Sequence, residues 1–186
     1  ARRGRGGNNM AGRVVKVNRA PVLTLWAAVV AARLGYGWEE ALTLGKAIAG
    51  LSAQAKGRRL GIYEEREKEG RKAERRGEAR VEILGPPVPV KQTDRGVRAV
   101  IGGRAVDPAS VTRYLHGRFG DDLGAVEEVM KELAASYPPG ELKKIAYRLY
   151  EGFRPQVAAG TRGWGQPGEL DLDRIRSLAR GARKAA

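Results

Sequence analysis

Apolar positions along the chain change period twice, and those changes define its parts. From Pro21 to Tyr36, Val22, Leu25, Trp26, Val29, Val30 and Leu34 recur at helical spacing, and Gly35 supplies a stop. A second helix is predicted from Trp38 to Lys56, with Leu42, Leu44, Ile48 and Leu51 on its apolar side. Glu39 and Glu40 fall in its first turn, where carboxylates suit the positive end of the helix dipole. Alanine is frequent on both helices, and the second also carries Gly45 and Gly50. A glycine inside a helix costs about 1 kcal/mol relative to alanine, so close backbone contact is expected at both glycines. Upstream, Val14, Val15 and Val17 predict a short extended segment. Residues 1–12, ARRGRGGNNMAG, have no apolar period and are expected to form a disordered basic arm.

Residues 64–80, EEREKEGRKAERRGEAR, carry almost no apolar side chain, which predicts an exposed charged helix or loop laced with pairs such as Glu64–Lys68. A period of two then takes over in Val81–Leu84, Val88–Thr93, Val97–Ile101 and Arg104–Val106, with Asp94-Arg95-Gly96 and Gly102-Gly103 as turns. The prolines at 86, 87 and 89 place residues 86–90 toward a sheet edge. Helical spacing returns after Asp107-Pro108, an N-cap followed by proline at the first helical position. Further helices are predicted from Asp121 or Asp122, over Glu141–Phe153 after Pro138-Pro139, and from Asp171 through Ile175 and Leu178. Residues 155–170, including Trp164, read as a Gly/Pro-rich loop. Trp164 is expected to cover its own domain, and Tyr147, Tyr150 and most other aromatics sit with apolar helix faces and read as core. The expected fold is α+β and predominantly helical: an N-terminal helical hairpin, a small antiparallel β-meander and a C-terminal helical bundle. Residues 13–186 are expected to form a single domain.

Composition narrows the chemistry. The 186 residues are 42% hydrophobic and include no cysteine, which excludes disulfides, thiolate metal sites and thiol catalysis. The longest nearly apolar run, Val22 to Ala32, falls short of the roughly 18 residues that suggest a membrane span. It leads into Arg33 rather than a cleavage site, so a cytoplasmic protein with no membrane partner is expected. His116 is the only histidine, which argues against histidine metal clusters and Ser-His-Asp schemes, and no phosphate-binding glycine loop precedes a lysine. No cofactor is expected.

Charge points to a partner class. The net charge is +14, from 35 Lys and Arg against 21 Asp and Glu. Residues 1–19 hold six basic residues and no acid, residues 83–120 hold six against two, and residues 121–154 are net negative at five against seven. Such clustering attracts phosphate backbones through counterion release, so nucleic acid, DNA or RNA, is the expected partner.

From Ala27 to Lys46 the spacing resembles the helix-turn-helix family: Ala31 is small, Leu34-Gly35 turns, and Ala41 and Leu44 face inward. The resemblance covers about 20 residues and fails where a reader works. The would-be recognition face presents Trp38, Glu39, Leu42, Thr43 and Lys46, with acid where Arg, Asn or Gln normally reads bases. A close helical hairpin with phosphate contacts is the better reading, its candidate residues being Lys46, then Lys56, Arg58 and Arg59 in KGRRLG, then Arg95, Arg98 and Arg104 on the meander. Strand alternation predicts that Arg98 faces opposite to Val97 and out of the core. Two other readings stand beside this one. In a scaffold protein, the Ala/Gly-rich hairpin would pack against a second copy or a partner. In a magnesium-dependent nucleic-acid enzyme, the carboxylates would come from Asp121/Asp122, Glu127/Glu128 or Asp171/Asp173.

Overall fold

The computed structural model describes residues 13–59, 79–158 and 166–185, with the backbone alone at 54–59 and 185. The basic arm, nearly all of the charged 64–80 segment, Tyr63 and Trp164 lie outside the described residues. The order is β1 (Val14–Val17), α1 (Arg19–Arg33), α2 (Trp38–Arg59), then β2 (Arg80–Val81), β3 (Val88–Thr93), β4 (Gly96–Ile101) and β5 (Arg104–Ala105). There follow α3 (Pro108–Phe119), a 3-10 turn (Gly120–Asp122), α4 (Leu123–Ala135), α5 (Pro139–Phe153), β6 (Gly168–Asp171) and α6 (Leu172–Ala185). The protein is α+β and predominantly helical.

The first helix is the hub of the core. Its side chains are apolar around most of the circumference, so every residue from Pro21 to Ala31 is buried. Helices α2, α3, α4 and α5 all pack against it. Trp26 is fully buried, and its indole N–H donates to the Ala146 carbonyl on α5 at 2.9 Å, which removes the penalty of an unpaired donor. Its ring meets Phe153 edge to face, with centroids 5.3 Å apart. The N-terminal hairpin and the C-terminal bundle therefore share this helix.

The α1–α2 turn closes by backbone geometry. The Tyr36 N–H donates to the Ala31 carbonyl and the Gly35 N–H to the Ala32 carbonyl, with Gly35 at φ +114°. This is the Schellman closure, and it needs a residue that tolerates positive φ. The helices then approach closely at Gly45. A Cβ there would collide with the Thr24 carbonyl oxygen and lie 3.0 Å from the Ala28 nitrogen. The expectation for Gly50 is corrected: a Cβ there meets nothing within 4 Å, so packing does not require that glycine.

The predicted meander is present as an antiparallel sheet in the order β2-β3-β4-β5. One detail differs. Strand β3 is paired on both sides, because β2 contributes only the Arg80↔Pro89 and Val81↔Val88 pairs and so tolerates a proline that lacks a donor. Beside β4, α2 covers the strand's edge. The Glu40 carboxylate accepts from the Val97 N–H at 2.7 Å, and the Thr43 hydroxyl accepts from the Ala99 N–H at 3.0 Å. These are the donors an open edge would leave unpaired.

Side-chain capping starts two of the later helices, α3 and α6. The Asp107 carboxylate accepts from the Ala109 N–H at 3.0 Å ahead of Pro108, and Asp171 accepts from the Asp173 N–H at 2.9 Å. A strand inside the predicted loop was not foreseen. Residues Gly168–Asp171 pair antiparallel with Val14–Val17, which ties the two ends of the described chain together. A four-residue GELD segment is too short to show a period, so only its partner β1 was readable. No helix among the described residues is long and apolar enough to cross a membrane.

Candidate nucleic-acid interface

The middle of the helix face that a helix-turn-helix protein would place in a groove packs against β4. Thr43 and Leu42, which a recognition helix would turn outward, are buried at 0% and 3% exposure, as the apolar-side placement of Leu42 predicts. The Thr43 hydroxyl donates to the Glu40 carbonyl at 2.8 Å while accepting from β4. One Glu40 carboxylate oxygen accepts from Gly37 N–H at 2.8 Å, reaching back to cap its own helix, and the other holds Val97. These two backbone donors hold its carboxyl below the usual range. The acids that looked misplaced on a recognition helix are structural.

Arg98 also differs from expectation. Its residue exposure is 5%, and its guanidinium lies 3.2 Å from the Glu39 carboxylate and donates to the Val97 carbonyl at 3.1 Å. Simple alternation fails because the start of α2 covers the side of β4 that would otherwise face water. Arginine suits this place, since its fork can satisfy two acceptors while its stem is buried. Glu39 remains open to solvent at 65% side-chain exposure.

Arg98 forms part of an open groove of about 860 Å³ between the start of α2, the β3–β4 turn and the β5–α3 junction. Trp38 forms one wall, and Arg95 and Arg113 line the groove with Arg98. Three carboxylates line it too: Glu39 pairs with Arg98, Asp107 caps α3, and Asp94 stands in the turn. Arg95 and Arg113 are exposed. Of the candidates named from sequence, this groove therefore joins Arg95 and Arg98. Arg104 is exposed on β5 next to Ala105, a lining residue, but does not itself line the groove. Arg113 was missed, although its position outside the Val111–Leu115 apolar row of α3 was a usable signal.

Lys46 lies elsewhere, between α2 and α3. Its ammonium is 3.6 Å from the centroid of the Tyr114 ring, and the Arg118 guanidinium carbon is 5.5 Å from the same centroid. A cation over an aromatic face is attracted by the ring quadrupole. Partial burial, and then the Arg118 charge, lower the Lys46 pKa. Burial similarly raises that of Tyr114. Lys56, Arg58 and Arg59 end α2, and their side chains lie outside the described residues.

Each carboxylate pair considered for magnesium has at least one member engaged elsewhere. Asp122 takes the Arg13 guanidinium at 3.0 Å, Glu127 the Lys131 ammonium at 2.7 Å and Asp173 the Arg176 guanidinium at 3.2 Å. Among the described residues no three metal-ligating side chains come together. His116 is exposed in the last turn of α3, as its neighbours Gly117 and Arg118 suggested.

In comparisons with known proteins, no family model matches the chain, and no curated protein and no solved structure matches it.

Proposed function

We propose that this protein binds nucleic acid, DNA or RNA, mainly through the phosphate backbone and without base readout by α2. The observation that carries this reading is the excess of exposed cations that have no ion-pair partner among the described residues. Several carboxylates are engaged within the fold, Glu40 on backbone donors, Asp107 and Asp171 on helix starts, and Glu39, Asp122 and Glu127 on cations, while others such as Asp121, Glu128 and Glu151 are exposed. The side chains of Lys16, Lys91, Arg95, Arg104, Arg113 and Arg148 are exposed and make no ion pair with the described residues. Free cations in excess, on a chain of net charge +14, suit a polyanion. Packing of β4 against the middle of the α2 face favours phosphate contacts over groove insertion.

Fluorescence anisotropy on labelled oligonucleotides tests this. Affinity should fall steeply between about 50 and about 200 mM salt. Arg95→Ala combined with Arg113→Ala should weaken binding to all sequences alike and flatten the salt slope by up to about two phosphate equivalents. No binding by the full chain at low salt would refute the reading.

A further inference from the structure

The outer face of α5 holds an exposed aromatic ring with three free cations on its N-terminal and adjacent sides and Glu151 one turn after it, beside a depression that the groove above does not include. Leu142, Ala146, Leu149, Tyr150 and Phe153 turn inward, which fixes the opposite face toward solvent. There Tyr147 is 38% exposed, one turn after Lys143, while Lys144 and Arg148 stand one turn apart on the adjacent row. These three cations are exposed and have no carboxylate partner among the described residues. Next to the ring is an open depression of about 580 Å³, shared with the Glu82–Gly85 segment. Ile83 and Leu84 give it an apolar lining, and Gly85 and Gly140 keep its sides free of bulk. Glu82 is the one carboxylate in its lining, against Lys143 and Lys144.

We propose that Tyr147 is a stacking platform for an unpaired nucleobase, with Lys143, Lys144 and Arg148 receiving the flanking phosphates. The inference rests on the nucleic-acid reading and narrows it to single strands at this face. Duplex stacking hides base faces, whereas a single strand can lay one on an exposed ring, and the charge of the three cations selects the polyanion around that base. A ring with apolar surroundings and ammonium groups one turn away joins both contacts. Tyr150, 5.8 Å from the Tyr147 ring centroid, supports the platform from within the core.

The test compares a labelled oligothymidylate with a duplex, using the full chain and its variants at fixed low salt. Tyr147→Ala should weaken single-strand binding by roughly 5- to 100-fold, the range of one stacked base, and leave duplex affinity nearly unchanged. Tyr147→Phe should retain binding because the ring face is kept. Lys143→Ala with Lys144→Ala should weaken single-strand binding and flatten its salt slope. If nucleic acid binds and Tyr147→Ala is silent, or weakens both substrates equally, the subsite is overturned while the broader reading stands. If the wild-type chain binds neither substrate, both fail together. Self-association lost on Tyr147→Ala, without any single-strand effect, would assign the face to a second copy and overturn the proposal.

Discussion

The same substitution placed at two glycines of α2 should change stability in opposite directions. At Gly50 an added methyl group meets nothing within 4 Å, so Gly50→Ala should gain most of the propensity difference, roughly 0.5–1 kcal/mol. At Gly45 the methyl group would collide with the Thr24 carbonyl oxygen, and it would lie 3.0 Å from the Ala28 nitrogen and 3.3 Å from the Ala28 Cβ. The oxygen and nitrogen belong to the α1 backbone and cannot rotate away, so α1 and α2 must separate. Overpacking of this kind costs about 1–3 kcal/mol, with the backbone collision favouring the upper part of that range. After the propensity gain, Gly45→Ala should destabilise by roughly 1–2 kcal/mol. Urea unfolding followed by far-UV circular dichroism should show the midpoint raised for Gly50→Ala and lowered for Gly45→Ala, with similar slopes. Midpoints moving in the same direction would refute the hairpin packing, because propensity alone treats both positions alike.

Two further outcomes concern the helix–strand seam. Thr43→Val keeps the side-chain shape but removes the acceptor for the buried Ala99 N–H, and should lower stability by about 1–3 kcal/mol in urea unfolding; an unchanged midpoint would show that this edge contact is dispensable. Glu40 has a lowered folded pKa, so its contribution is fully present above the unfolded value of about 4.3 and is lost as pH falls through the lowered folded value. The stability difference between the native chain and Glu40→Gln should therefore shrink on acidification across that window, and a difference independent of pH would contradict the assigned hydrogen bonds.

Much of the fold was readable because local patterns and tertiary contacts agree. The apolar run of α1, the Leu34-Gly35 turn and the Asp107-Pro108 start each determine a backbone feature within a few residues. Strand β6 was not readable, since its pairing with Val14–Val17 is a long-range choice with little local signature. Gly45 and Gly50 looked equivalent in sequence for the same reason: only the placement of α1 tells a packed glycine from an open one. Arg98 shows the limit of strand alternation, which assumes one wet face and fails when a helix start covers that face.

The candidate surfaces were harder to read because charge was counted along the chain, whereas binding depends on which charges remain free after folding. Residues 121–154 are net negative, with five basic residues against seven acidic ones, so the linear profile shows no basic patch there. Folding redistributes them: Asp122 and Glu127 join ion pairs, while the inward turn of Leu142, Ala146 and Leu149 leaves Lys143, Lys144 and Arg148 outward. Tyr147 was assigned to the core with its aromatic neighbours, yet it lies one position beyond the apolar stripe, and Tyr150 takes the buried place. The opposite redistribution occurs on α2. Its acids appeared to contradict a binding helix, but Glu40 and Thr43 supply acceptors that a strand edge requires. In this protein the helix nearest to a known DNA-reading pattern is packed against a strand, and free cations stand not only in the basic stretches but also on α5, where the linear charge profile is net negative.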